Sequence, residues 1–163
     1  MKKLITLAPL AFVFAAGSAL AADSIAHQMT VTATIPTDSF YVTPAGGGNW
    51  MNDPQNLDYS AQTQTLATFS RQLDMKSTTG PITAHLTSPV SLGHTSSTET
   101  IGLSVKINNK TLTTTAQEVL PAAQAALGAT VPFMVSADAA PAAGYTPGDY
   151  TGIVGMLFET TTP

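Results

Sequence analysis

The chain contains no cysteine. Whatever holds it together does so without a disulfide, so its stability rests on an apolar core or on a neighbouring molecule. Charge is also scarce. Only 10% of the residues are charged, with 6 basic residues against 10 acidic ones. Two of the six, Lys2 and Lys3, sit at the extreme N-terminus. Without them four remain (Arg71, Lys76, Lys106 and Lys110), and the formal net charge moves from -4 to -6. Nucleic-acid binding needs clustered Lys and Arg, so this balance argues against nucleic acid as a partner. Beyond the N-terminal leader there is no apolar run long enough to span a membrane. Thr, Ala and Ser abound instead. A lone soluble monomer usually carries more charge than this; a Thr-rich, weakly charged surface suits packing against copies of itself.

The N-terminus has the form of an export signal. Met1-Lys2-Lys3 is a positive stretch, Leu4 to Ala16 is apolar, and Ala19-Leu20-Ala21 is a small-x-small cleavage site. Residues 1–21 are therefore expected to be removed, with cleavage after Ala22 as the alternative. About 140 residues remain, the size of one ordinary domain.

The mature chain opens on a strand pattern. From Ile25 to Ile35, Ile25, Met29, Val31, Ala33 and Ile35 fall on one face, and Gln28, Thr30, Thr32 and Thr34 on the other. Pro36 ends the ladder because it has no N–H to give. No tight turn joins this strand to a partner, so its partner is expected elsewhere. Further strands are expected at residues 39–43, 57–59, 65–75, 82–86, 101–107, 110–115, 131–137 and 148–160. Asn108-Asn109 between two of these predicts a hairpin with a primed turn, since Asn tolerates positive φ. The Gly46-Gly47-Gly48 run and Asp53-Pro54 mark residues 44–56 as a loop. No Lys-Ser or Lys-Thr follows the glycines, so the loop is not a phosphate cradle, and Trp50 reads as a loop anchor or an inter-subunit contact. The Ala-rich stretch 116–127 is broken by Pro121 and predicts an irregular connection with at most a short helix.

Many short strands with turns between them are the pattern of an all-β sandwich. The last strand places Tyr150, Val154, Met156 and Phe158 on one face and Ile153 and Leu157 on the other. A sandwich that ends on so apolar a strand is expected to lack its final strand. That leaves the edge formed by Tyr150, Val154, Met156 and Phe158 as the border of an acceptor groove. The N-terminal strand would fill it, from the same chain or from another.

Four segments in order carry a family resemblance: M-T-V-T-A-T-I at residues 29–35, L-D-Y-S-A at 57–61, I-G-L-S-V-K-I-N-N-K-T-L-T-T-T-A-Q-E at 101–118, and P-G-D-Y-T-G-I-V-G-M-L at 147–157. Together the chain resembles the major pilins of colonization factor antigen I fimbriae and the related cable pili, of the alpha class of chaperone–usher fimbriae. The resemblance implies an incomplete immunoglobulin-like β-sandwich completed by donor-strand exchange, with residues 22–36 as donor and 37–163 as the pilin domain. It implies a major shaft subunit that polymerises with copies of itself and supports adhesion. Its other partners would be a periplasmic chaperone, an outer-membrane usher and a tip adhesin subunit, and its route would run through the periplasm to the cell surface. By position, Met29, Val31, Ala33 and Ile35 match the alternating donor residues. Pro36 directly after Ile35, and the Gly-rich loop with Trp50, depart from the family pattern.

Other chemistry finds little support. His27, His85 and His94 are scattered over a strand, a strand face and a loop, and no metal is expected. No Ser lies in a G-x-S-x-G setting, and the acidic residues stand singly, so no catalytic residues and no cofactor are expected. Two alternatives remain: an adhesive subunit at a fimbrial tip, and a self-complemented secreted β-sandwich that binds a sugar or a protein.

Overall fold

The computed structural model describes residues 39–161. The leader and the strand expected at Ile25 to Ile35 lie outside the described residues. The ordered elements are β1 (Phe40–Pro44), β2 (Tyr59–Ser60), β3 (Thr65–Leu66), β4 (Phe69–Ser77), β5 (Ile82–Leu86), β6 (Ser91–His94), β7 (Thr100–Ile107), β8 (Lys110–Thr111), β9 (Gln117–Leu120), α1 (Ala122–Leu127), β10 (Ala129–Ala137), β11 (Tyr150–Thr151) and β12 (Met156–Thr160). One sheet runs β1-β4-β10-β7-β6-β11, with β8 hairpinned onto β7; a second runs β12-β5-β9. All the pairings are antiparallel. The fold is the expected all-β sandwich.

Period-two alternation builds the core between the two sheets. Ile82, Ala84 and Leu86 of β5 point inward, as their spacing predicts, against Leu73 and Met75 of β4, Val105 and Ile107 of β7, and Val131, Phe133 and Val135 of β10. The Asn pair turns as expected: Asn108 and Asn109 have φ of 50° and 62°, the left-handed values of a primed hairpin turn. Asn108 is also tied into the domain, its Nδ2 donating to the carbonyl of Val119 at 2.8 Å.

Four expectations change. The single strand expected at 65–75 is two, because Ala67 N–H donates to the Asp58 carbonyl and turns β3 into a small hairpin with β2 before β4 begins. Strand β6 was not foreseen; only Leu92 among its side chains is a large apolar group. Nor was β9, where Val119 and Leu120 are adjacent and both buried. A shift of register at Ile82/Thr83 explains this, since such an irregularity lets two successive residues turn inward. The last strand, expected to be continuous over 148–160, is broken. Its first part, β11, pairs with β6 in the large sheet, and its second, β12, pairs with β5 in the other.

The hairpin generates a test. Asn108→Ala removes a part-buried hydrogen bond and the side chain best suited to positive φ, and should cost about 1–3 kcal/mol in denaturant unfolding. Asn109→Gly should change stability by less than about 0.5 kcal/mol, since glycine accepts the same φ without strain. Equal losses at the two positions would contradict this account of the turn.

Candidate functional site

The break in the last strand is dictated by close backbone approach. Between β11 and β12 the chain reads Gly152-Ile153-Val154-Gly155 as it crosses from one sheet to the other. A Cβ on Gly152 would lie 2.3 Å from the Ser91 carbonyl oxygen, and one on Gly155 would lie 2.2 Å from Thr87 Oγ1. At Gly152, where the neighbour is backbone, only glycine lets the segment lie this close; at Gly155 a side chain would require the Thr87 hydroxyl to turn away. Once across, β12 forms five register pairs with β5, from Met156↔Leu86 to Thr160↔Ile82. Its far end is held by a triangle of hydroxyls: Ser77 Oγ lies 2.6 Å from Thr160 Oγ1 and 3.2 Å from Thr79 Oγ1, which is itself 3.2 Å from Thr160 Oγ1. Among the described residues β12 pairs on one side only.

Beside that strand lies an apolar groove of about 530 Å³. Its floor is the inner face of the large sheet: Phe69, Leu92, Leu103, Phe133 and Val135. One wall is the crossing segment and β12, with Val154, Met156 and Phe158 half-buried and directed toward the floor. Ile153, in the crossing segment at the groove's rim, is 88% exposed, and Leu157, on the outer face of β12, is 45% exposed. The opposite wall is the loop from Trp50 to Leu57. Trp50 reaches the floor, its ring 5.1 Å from that of Phe133 and 5.5 Å from that of Phe69. It is thus a loop anchor within its own domain.

Val154, Met156 and Phe158 line this groove. Tyr150 stands apart. It lies in the large sheet, its ring edge-on to His94 at 4.9 Å and its hydroxyl donating to the Thr146 carbonyl. It lines a separate cavity of about 560 Å³ together with Tyr59, Tyr145 and Asp149. The sheet change at Gly152–Gly155 is the reason. The donor residues Ile25, Met29, Val31, Ala33 and Ile35 lie outside the described residues. Sequence reasoning missed the groove's floor: inward positions on β4, β7 and β10 could be read from alternation, but neither β6 nor which inward positions line the groove.

The two described histidines, His85 and His94, have separate partners. His94 Nδ1 accepts from Ser96 N–H at 3.0 Å, and its Nε2 lies 3.2 Å from the Pro147 carbonyl oxygen. His85 sits on the outer face of the second sheet, with Nδ1 3.8 Å from a Glu159 carboxylate oxygen. His27 lies outside the described residues. Among the described residues no group of three His, Cys, Asp or Glu side chains could hold a metal ion.

Residues 25–159 match the family model described as the CS1 type fimbrial major subunit. Among solved structures, the chain is similar to the CooA pilin subunit from enterotoxigenic Escherichia coli, with a TM-score of 0.62 over 76% of this chain and 88% of that one, at 17% sequence identity. At that identity the likeness concerns the fold. No curated protein matches the chain.

The crossing segment generates the second prediction. Gly152→Ala forces a methyl group onto a backbone carbonyl and should destabilise the domain by about 2 kcal/mol or more, read as a fall in melting temperature. Ile153→Ser, at a residue almost wholly exposed, should stay within about 0.5 kcal/mol of the parent. An unchanged melting temperature for Gly152→Ala would mean that the close approach is not required.

Proposed function

The chain belongs to the CS1-type fimbrial major subunits and is a structural subunit of a fimbrial shaft, and from that premise we propose how one copy joins the next. Residues 22–36 act as a donor strand that leaves its own domain and enters the groove of a neighbouring copy. Ile25, Met29, Val31, Ala33 and Ile35 face the floor, and the threonines between them face outward. The new strand lies along the edge of β12, beside Val154, Met156 and Phe158. The observation that carries this reading is the groove itself, an apolar floor next to a strand paired on one side among the described residues. The family match supports it by beginning at Ile25.

The energetics favour the exchange. Met29, Val31 and Ile35 would each contribute about 1.5–3 kcal/mol when fully buried. Ladder hydrogen bonds add to this, and ordering the donor segment offsets part of it. The sum is comparable with the whole stability of an ordinary domain, about 5–15 kcal/mol. The same numbers explain why a subunit in transit needs cover: an open strand edge beside apolar surface is a template for aggregation. A periplasmic chaperone would cover the groove until an outer-membrane usher exchanges it for the next donor, behind a tip adhesin. Assembly by strand exchange makes and breaks no covalent bond, so the role asks for no catalytic residue and no cofactor.

Val31→Asp should abolish filaments, because it places a carboxylate against the apolar floor at a cost of several kcal/mol. Thr32→Asp, on the outward face, should be far milder. Single cysteines at positions 29–35 paired with cysteines at 154–158 should give disulfide ladders between subunits on a gel. Cross-links confined to single chains, with a monomer on size-exclusion chromatography, would favour a self-complemented domain. Normal filament yield from Val31→Asp would rule out the donor role.

A further inference from the structure

We propose that Trp50 sets the register of the incoming strand, by occupying the part of the groove that faces Ala33 of the donor copy. This rests on the donor-strand reading above. Trp50 is the only tryptophan in the chain. Its indole lies on two floor residues at once, tilted by 32° on Phe133 and by 61° on Phe69. The loop behind it is braced. Gln55 Nε2 donates to the Trp50 carbonyl at 3.0 Å and to the Asp53 carbonyl at 2.9 Å. Asn52 donates to Asn49 twice, from its backbone N–H at 2.9 Å and from its side-chain amide at 2.6 Å. The indole is therefore a fixed wall of the groove, filling floor space that a completing strand would otherwise cover.

A strand can pass such a wall only where its own side chain is small. Donor residues that share a face recur about every 6.6–6.8 Å. From Met29 to Ile35 the inward residues are Met, Val, Ala and Ile, with Ala33 the small member. Setting Ala33 against Trp50 lets the larger side chains settle on either side. A slip by two residues keeps the apolar face inward but drives Val31 or Ile35 into the indole. Alternation alone does not discriminate between these registers; the match of a large side chain with a small one does. The bulky group stands on the groove and the small one on the donor, so the pair also selects which strands this groove accepts.

The test is a size exchange in full-length protein assembled on cells, with filament yield read by electron microscopy and by shearing, and chaperone-bound subunit measured in the periplasm as a control for folding. Ala33→Phe should lower filament yield about tenfold or more, as overpacking of a filled site does. Trp50→Ala alone removes a wall of the groove and should lower filament yield, but by less than Ala33→Phe does, and Ala33→Phe combined with Trp50→Ala should bring the yield back up to that of Trp50→Ala alone. Should Trp50→Ala fail to accumulate, Trp50→Val, which keeps an apolar side chain on Phe69 and Phe133, takes its place in both arms. Normal filaments from Ala33→Phe while Val31→Asp blocks assembly would overturn the register assignment and leave the donor role standing. Normal filaments from both would remove the donor role and the register assignment together. A double variant as poor as Ala33→Phe alone, with the Trp50 variant assembling, would also overturn it.

Discussion

A β-sheet edge that ends beside half-buried apolar side chains is a demand that water does not satisfy. The backbone of β12 is paired with β5 on one side, and the inner face of the large sheet continues past it as Phe69, Leu103, Phe133 and Val135. Peptide groups need partners and apolar surface needs cover, and one extended strand supplies both at once. Most other features of the domain can be understood from this demand. The glycines that let the chain cross between sheets bring β12 to the groove's edge, and the braced loop around Trp50 closes the other side. With no cysteine available, the fold depends on burial, and at the groove Val154, Met156 and Phe158 are only half-buried.

The legible parts of the fold are those where one strand face carries the core. Ile82, Ala84 and Leu86 are buried as their alternation requires, and the Asn108-Asn109 turn follows from the tolerance of Asn for positive φ. The illegible parts are those where tertiary contacts override the period. Val119 and Leu120 are both buried because the register shifts beside them, which nothing local in their sequence announces. The last strand is a similar case. Its apolar alternation runs through Gly152 and Gly155, and only the approach to Ser91 and Thr87 shows that the chain changes sheets there. Hence Val154, Met156 and Phe158 come to line one cavity and Tyr150 another. The floor, made by four separate strands, is a property of the assembled sandwich.

The sparse charge of the chain takes on meaning in the same frame. Hydroxyls do work that ion pairs do elsewhere: Ser77, Thr79 and Thr160 join the end of β12 to the end of β4, linking the two sheets at one pole. Such neutral bonds are indifferent to salt, whereas surface ion pairs weaken as ionic strength rises. With only 10% of its residues charged, the chain also has few charges to desolvate when copies pack together.

The five register pairs between β12 and β5, closed by the hydroxyl triangle at Thr160, have a mechanical meaning. A pull directed along β12 meets its hydrogen bonds sideways, so all five pairs share the load before any one gives. A pull directed across the sheet would open them one after another from Met156. A thread made of such domains would resist stretching along its strands far better than peeling across them, and its toughness would come from the direction of its bonds.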